Sequence, residues 1–307
     1  MRNLAVLIAL LLPVPSEAQA VRVAGTSVVM EPPPGFAAAT RYPGFERADV
    51  QCSIMVTEVP GPFTELARGM TASNLATRGM TLISTTKPVV DGRQVLLIKV
   101  SQQAPGGTVL KWMVVAGTVT SSVMIVGTFP SEHDASVGDA VRTSLLSARW
   151  NAAAAPPDPF EGLPFRIAST PVLKVAGRMS NLLLLSESGQ MTQKDPNAAL
   201  FAIGSSVAAV DLGDLKAFSH QRARQTKQIA AVRVLEEGTT TIDGIAGYEI
   251  VAEAKDAASG RGVSLYQVVL PVADGYVLMQ GLVAPARAAV MLPEFRKVAQ
   301  TFRRTKR

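Results

Sequence analysis

A phrase of similar sequence occurs once in each half of this chain. Residues 89–100 read VVDGRQVLLIKV, and residues 240–251 read TTIDGIAGYEIV. In both, an Asp-Gly pair separates a β-branched residue from a strand-like run. Glycine tolerates positive φ and aspartate can bond neighbouring backbone groups, so such a pair closes a tight turn into a strand. We therefore predict a structural role for Asp91 and Asp243.

The similarity extends beyond this phrase. Each half continues with a glycine-bearing turn and a strand that carries one aromatic residue, Trp112 or Tyr266. A second apolar strand then passes through Gly127 or Gly281 before a proline and a terminal helix. Two such units are too few for a solenoid, which needs at least three repeats. The pattern predicts an α+β protein of two related domains, each an antiparallel sheet packed with helices, arising from an internal duplication.

Apolar spacing and breaker residues locate the helices and strand sections around the repeat. A helix carrying Phe63, Leu66, Ala67 and Met70 precedes the first Asp-Gly turn, and a helix capped by Asp214 and carrying Leu215, Phe218 and Ile229 precedes the second. The terminal helices are predicted over 135–146 and 286–302, and strands within 52–59 and 199–210. Cys52, the single cysteine, is expected to be a small buried residue on a strand.

The amino-terminal residues resemble a cleavable signal peptide. Arg2 precedes the apolar run Leu4–Leu12, and Ala18-Gln19-Ala20 fits the small-x-small cleavage pattern. A retained membrane anchor is the alternative, but the run is well short of the roughly 20 residues that span a bilayer. We expect residues 1–20 to be removed and the protein to be exported, to the periplasm or outside a bacterial cell.

The remaining length and composition fit two globular domains. The chain is 48% hydrophobic and 18% charged, and one cysteine cannot form an internal disulfide, so two conventional cores must stabilise it. A proline-rich stretch, NAAAAPPDPFEG, reads as a linker. The predicted organisation is a signal peptide over 1–20, a first domain over 21–150, the linker over 151–162, and a second domain over 163–307.

The first half resembles the PsbP-like and DcrB-like families of α/β/α sandwich domains. The similarity is carried by PPPGF (32–36), the helix after VPGPF (59–63), VDG before LLIKV, and paired strands ending in GTFP (127–130). In the second half the PGF motif is absent and EGLPF (161–165) takes its place. The resemblance implies sandwich domains and, because most members of these families are non-catalytic, a binding or scaffolding protein.

The residues themselves show no constellation for catalysis. There are only two histidines, His133 and His220, and no second cysteine for a redox pair or a structural zinc site. Gly204-Ser205-Ser206 lacks the second glycine of a nucleophile elbow. Glycine patterns for nucleotide binding are also missing. We therefore expect no enzyme, no catalytic or metal-binding residues and no cofactor.

Two classes of function remain, and a third has weaker support. The first is an envelope protein that binds or scaffolds a protein partner. The second is a carrier or sensor of an apolar small molecule or lipid, indicated by the run Leu182, Leu183, Leu184 and Leu185. Four leucines on a strand place two on each face, so either both faces are covered or one is an apolar interface or ligand site. The third is a divergent enzyme with a site between the domains.

Basic residues are concentrated at the carboxyl end of a chain with a net charge of +6. They are Arg296, Lys297, Arg303, Arg304, Lys306 and Arg307. Such a cluster is a candidate for weak contact with an anionic membrane surface, while a solvated helix end is the alternative. Export and the lack of aromatic residues after Phe302 argue against nucleic acid as a partner.

Overall fold

The structure, a computed structural model, describes residues 19–150, 157–192, 195, 197–227, 229–273 and 275–305. The predicted signal peptide therefore lies outside the described residues except for its last two positions. So do the first six residues of the predicted linker.

The first half, residues 21–150, is built mainly from strands. Its strands are β1 (Val21–Arg22), β2 (Val28–Met30), β3 (Ala37–Ala38), β4 (Gly44–Arg47), β5 (Cys52–Pro60), β6 (Met80–Thr86), β7 (Val89–Val90), β8 (Arg93–Gln94), β9 (Leu96–Ala104), β10 (Gly107–Gly117), β11 (Ser121–Pro130) and β12 (Arg149–Trp150). Its α-helices are α1 (Phe63–Arg68), α2 (Ala72–Ala76) and α3 (Asp139–Leu146). Short 3-10 turns occupy Ala48–Val50 and Ser131–His133, and a π-turn occupies Asp134–Gly138.

The second half, residues 163–305, has the same character. Its strands are β13 (Phe165–Arg166), β14 (Lys174–Met179), β15 (Leu182–Ser186), β16 (Leu200–Ser205), β17 (Ile229–Ile242), β18 (Ile245–Asp256), β19 (Gly262–Val272), β20 (Gly275–Val283) and β21 (Arg303–Arg304). Its α-helices are α4 (Leu215–Arg224) and α5 (Ala288–Gln300), with a 3-10 turn at Pro285–Arg287.

Each half contains one seven-stranded sheet within the described residues. The strand order is β3-β4-β5-β11-β10-β9-β6 in the first and β14-β15-β16-β20-β19-β18-β17 in the second. Neighbouring strands are antiparallel throughout. The two orders match strand for strand along the chain, so the α+β class and the predicted pair of sheet-plus-helix units are confirmed.

Helices cover both faces of each sheet. In the first half, α1 and α2 pack on the face that carries Ile98 and Val115, and α3 packs on the opposite face. In the second half, α4 and α5 divide the two faces in the same way. Each half is therefore an α/β/α sandwich, in which apolar residues of both strand faces are buried against helices.

The two Asp-Gly pairs form matching turns. Asp91 and Gly92 have φ of 49° and 71°, and Asp243 and Gly244 have φ of 52° and 72°. Two consecutive residues with positive φ in a two-residue hairpin loop are typical of a type I′ turn. The turns join β7 to β8 and β17 to β18. The prediction of a structural turn at both places is confirmed.

The outer strands β6 and β17 carry bulges at corresponding places. Pairing shifts between Leu82 and Ser84 and between Val234 and Glu236. The extra residues, Ile83 and Leu235, are 52% and 48% exposed. Bulges twist an edge strand and discourage pairing with another chain, so both sheets protect this edge in the same way.

Several local predictions are confirmed and others need correction. Asp214 caps α4, accepting a 2.7 Å hydrogen bond from the Ala217 amide, and Cys52 is buried at the start of β5. However, α4 ends at Arg224, so Ile229 is not on the helix but begins β17, where it packs in the core beneath α4. The predicted helix 135–146 is split into a π-turn and α3, and α5 is shorter than 286–302.

Candidate functional site

The leucine run forms strand β15 and alternates between the two faces of the second sheet. Leu183 and Leu185 are fully buried in the core shared with Phe201 and Phe295. On the other face, Leu184 is 9% exposed and Leu182 lies against Gly204. Because Leu183 and Leu185 are buried in the same core as Met291 and Phe295 of α5, these two residues act as core packing and are closed to a ligand.

The basic residues near the carboxyl end are held by acidic groups and carbonyls. Arg296 pairs with Glu249 and Glu236, Lys297 with Glu294, and Arg304 with Asp243. Arg303 donates to the carbonyls of Gln300 and Phe302. Lys306 and Arg307 lie outside the described residues. Contact with an anionic membrane surface stays a prediction, and it would compete with these pairs.

The two histidines lie in different halves of the chain. His133 ends the turn Ser131–His133, and His220 on α4 bonds Glu237 on β17. Across the described ranges, no group of three or more histidine, cysteine or acidic side chains is placed to hold a metal ion. In the same residues, no helix is both long and apolar enough to cross a membrane.

The halves contact each other through a small charged cluster. Arg22 on β1 donates two hydrogen bonds to the Glu161 carboxylate, one of them 2.9 Å from Nη1 to Oε2. The Gly25 amide donates to the same carboxylate at 3.2 Å. The hydrogen bonds from Arg22 lower the pKa of the Glu161 carboxyl, and they raise the pKa of Arg22 in turn. Through these hydrogen bonds Glu161 holds the end of the predicted linker against the first half.

Arg178, on the edge strand β14, lies beside this cluster but is held differently. Its Nε donates to the Ser180 carbonyl and its Nη1 to the Glu161 backbone carbonyl. Burial lowers the pKa of the Arg178 guanidinium to about 10. The side chain is fitted closely against Gly25, where φ is +73° and a Cβ atom would collide with Nη1. Glycine is therefore needed there both for its conformation and for the space.

Two cavities flank Arg178, and both include it in their walls. One, of about 380 Å³, lies mainly on the first half and is lined by apolar groups that include Phe36, Tyr42 and Phe45. The other, of about 410 Å³, lies between the halves. Its walls include Val59 and Pro60 at the end of β5, Val175 and Ala176 on β14, and Met191. We call this second cavity the interdomain cleft.

The interdomain cleft is mostly apolar with a few polar groups at defined places. Glu58 is one of them, and it accepts hydrogen bonds from the amide and hydroxyl of Ser27. Gly177, with φ of +154°, allows β14 to approach Met191, since a Cβ atom there would lie 2.6 Å from the Met191 Sδ. Apolar walls with a few placed polar groups are typical of a binding site.

Sequence reasoning did not identify this site. Arg22 and Glu161 are 139 residues apart, and each is an isolated charge in its own stretch of sequence. The Glu161 region reads as a linker, and Arg178 is one of two basic residues on its strand, with Lys174. Residue types alone offer no signal here, because the site depends on how the two halves meet.

A conservative change at the junction tests the charge on Glu161. We expect Glu161→Gln to lower the free energy of unfolding at pH 7 by roughly 0.5 kcal/mol, because solvent weakens a partly exposed ion pair. The folded-state pKa of Glu161 is lowered, so its contribution is present above the ordinary pKa of about 4.3 and is lost as pH falls through the folded value.

Urea unfolding of the wild type and Glu161→Gln at stepped pH measures this effect. The difference between them should begin to shrink as pH falls below the ordinary carboxyl pKa of about 4.3, and it should disappear as pH passes the lowered pKa of the folded state. Glu132→Gln, at an exposed position of the turn Ser131–His133, is the matched control. A difference that grows in acid would contradict the assignment of the stabilising charge to Glu161.

Comparison with known proteins shows no family match. No protein-family model matches the chain, and no curated protein matches it. Among solved structures, the protein of unknown function PA94 from Pseudomonas aeruginosa is 17% identical, with 41% of this chain and 84% of that chain covered and a TM-score of 0.32. The cyanobacterial PsbP of Synechocystis is 17% identical, with 41% and 87% covered and a TM-score of 0.30.

A further solved structure is matched over nearly the whole chain. It is the immunity protein TplEi of a type VI secretion system from Pseudomonas aeruginosa, at 10% identity, with 92% of this chain and 96% of that chain covered and a TM-score of 0.33. TM-scores below 0.5 establish neither family nor function. The α+β class therefore rests on the two sheets themselves, and membership of the PsbP-like family stays a prediction.

Proposed function

We propose that this chain is a non-catalytic binding protein that holds a protein partner in the interdomain cleft. The observation that carries the proposal is the cleft itself, to which β5 of the first half and β14 of the second half both contribute apolar walls. The burial of Leu183 and Leu185 in the core of the second half supports a protein partner over an apolar ligand, because the best sequence candidate for a lipid site is occupied by core packing.

A carrier of an apolar small molecule is the second candidate. It is favoured by the cavity beside Phe36, Tyr42 and Phe45, whose volume of about 380 Å³ lies in the usual range for small-molecule sites. Its open position at the surface suits a binding groove better than an enclosed lipid chamber. We therefore rank it below the protein partner.

The setting of this function is also part of the proposal. The sequence of residues 1–20 supports export to a bacterial envelope by a cleaved signal peptide. The matching strand orders and turns support an origin by internal duplication. In that case two copies of one sandwich, joined by a short linker, created a cleft that a single copy does not have.

Site-specific photo-crosslinking tests the cleft. A benzoylphenylalanine placed at Ala176, in the cleft, should yield a covalent adduct with a defined protein when cells of the native host are irradiated. Thr239, exposed on the outer strand β17, is the control position. Mass spectrometry of the adduct identifies the partner. The proposal fails if Ala176 gives no protein adduct beyond that of Thr239, or if the purified chain instead retains an extractable small molecule.

A further inference from the structure

We propose that Arg178 binds a carboxylate of the partner, and that the partner enters the cleft as an extended peptide segment with an acidic residue between apolar ones. This inference rests on the proposed function and adds the chemistry of recognition. It starts from the hydrogen bonds of Arg178. A guanidinium has five N–H donors, and the described contacts use only Nε and Nη1, each on a neutral backbone carbonyl.

Arg178 forms no direct ion pair with a carboxylate of the described residues, and the charges of Glu161 and Asp158 act on it only from a distance. Among the described residues no carboxylate oxygen lies within 4.0 Å of its nitrogens, whereas Arg22 is paired with Glu161 and Arg166 with Asp158. The Glu161 carboxylate is already taken by Arg22 and by the Gly25 amide. A partly buried cation is costly unless an anion accompanies it. Burial lowers the pKa of Arg178 even though the charges of Glu161 and Asp158 act to raise it.

The guanidinium is held in place before any ligand arrives. The two carbonyls that it bonds lie on opposite sides of the junction, one in the β14–β15 turn and one in the linker end. Ser180 begins the two-residue turn between Met179 and Leu182, and its φ of +55° is the conformation that such a turn requires. Its buried hydroxyl makes no hydrogen bond to the described chain, which leaves a polar group that a ligand or water can bond.

The shape on either side of Arg178 favours an extended segment. The cavities of about 380 and 410 Å³ on its two sides are each too small for a folded domain and large enough for a few side chains. Their walls are mainly apolar, with aromatic groups on one side and Val59, Pro60 and Met191 on the other. A chain that crosses Arg178 would place apolar side chains in both cavities and one acidic side chain between them.

The charges on the cleft wall determine where the acidic residue of the bound peptide segment lies. Glu58, in the interdomain cleft, would repel a second carboxylate, whereas Arg178 attracts one. An arginine–carboxylate pair in a partly desolvated site is also strong and directional because two N–H groups can bind two oxygens. The acidic residue is therefore placed at Arg178 and not deeper in the cleft.

Selection from a phage-displayed random peptide library on the purified wild-type protein tests this inference. We expect the selected peptides to share an aspartate or glutamate flanked by apolar residues. For a synthetic peptide of that sequence, fluorescence anisotropy should show at least a tenfold weaker binding to Arg178→Met. Changing the acidic residue of the peptide to its amide should weaken binding to the wild type equally, and should have little effect on binding to Arg178→Met.

Two further variants separate recognition from folding. Lys174→Met removes an exposed cation from the same strand, and its affinity should match that of the wild type. Gly25→Ala keeps Arg178 but displaces its guanidinium, so it should also weaken binding. Thermal unfolding of each variant shows whether the fold is intact.

The outcomes distinguish the proposed role of Arg178 from the proposed protein-binding function. Peptides that bind the wild type and Arg178→Met equally would overturn the role of Arg178 and leave the protein-binding function standing. A wild-type protein that selects no peptide would overturn the peptide occupant. If that protein instead binds decanoate in an Arg178-dependent way, the carrier replaces the protein-binding function as well.

Discussion

Phe295→Ala is expected to lower the stability of the second half by about 3 to 5 kcal/mol, the usual loss for a buried phenylalanine in a core. Phe295 is fully buried on α5. Its ring centroid lies 5.8 Å from that of Phe201 and 6.1 Å from that of Tyr266. The substitution removes the centre of this aromatic group and leaves a cavity under the helix.

The measurement can separate the two halves. Both tryptophans of the chain, Trp112 and Trp150, lie in the first half. Circular dichroism in urea reports both sheets, whereas tryptophan fluorescence reports the first alone. We expect Phe295→Ala to move part of the circular dichroism transition to lower urea and to leave the fluorescence transition in place.

A matched control lies on the same helix. Val290 on α5 is 67% exposed, so Val290→Ala should change stability by less than about 0.5 kcal/mol. An equal shift of both transitions by Phe295→Ala would show that the halves unfold as one unit, against the two-domain organisation. A loss no greater than that of Val290→Ala would contradict the packing around Phe295.

The repeat, the turns and the strands were predictable because their causes are local. An Asp-Gly pair between strand-like runs leaves few conformations other than a tight turn, and both turns have the expected positive φ. The leucine run had to alternate on a strand, and it does. Which residues fill the core beside Leu183 and Leu185 was not predictable, because Met291 and Phe295 of α5 come from a distant part of the chain.

The end of α4 shows a limit of apolar spacing. Ile229 fits the helical pattern of Leu215 and Phe218, but it lies on β17 and contacts the same core from the strand side. One apolar spacing is compatible with either element over such a short stretch. The candidate site could not be predicted from the sequence either, because Arg22, Glu161 and Arg178 come together only when the two halves pack.

The halves also differ where the repeat suggests that they should agree. The cross-strand pair Met113 and Val126 on β10 and β11 corresponds to Gln267 and Gln280 on β19 and β20. The two glutamines bond each other at 3.0 Å. Gln267 also donates to the Ser219 carbonyl on α4 at 2.8 Å, and Gln280 donates to the Thr226 hydroxyl, just beyond the end of α4, at 2.7 Å. Helices α1 and α2 of the first half therefore pack on an apolar part of their sheet. Helix α4 of the second half packs on a face that also carries hydrogen-bonding glutamines.

The glycines Gly127 and Gly281 explain how the terminal helices come so close to the sheets. Each lies opposite the aromatic residue of the neighbouring strand, Gly127 opposite Trp112 and Gly281 opposite Tyr266. A Cβ atom on Gly281 would lie 2.5 Å from the Phe295 ring, and one on Gly127 would collide with Val141. Each glycine therefore leaves the space that a helix side chain fills.

Gly281→Ala should accordingly destabilise the second half by about 1 to 3 kcal/mol, the usual cost of overpacking a core. In a Phe295→Ala background the added methyl group enters the cavity left by the ring. Gly281→Ala should then lower the free energy of unfolding only slightly, or raise it. The two changes should therefore show an interaction free energy of roughly 0.5 to 3 kcal/mol in a double-mutant cycle measured by urea unfolding.

Gly238→Ala is the control for this cycle, because Gly238 lies on the outer strand β17 and a Cβ atom there meets nothing within 4 Å. It should be neutral or slightly stabilising in both backgrounds, since alanine restricts the unfolded chain more than glycine does. If Gly281→Ala lowers the free energy of unfolding by the same amount in the wild-type and Phe295→Ala backgrounds, the loss of stability comes from the strand backbone. The close approach of α5 would then not be the reason for glycine at this position.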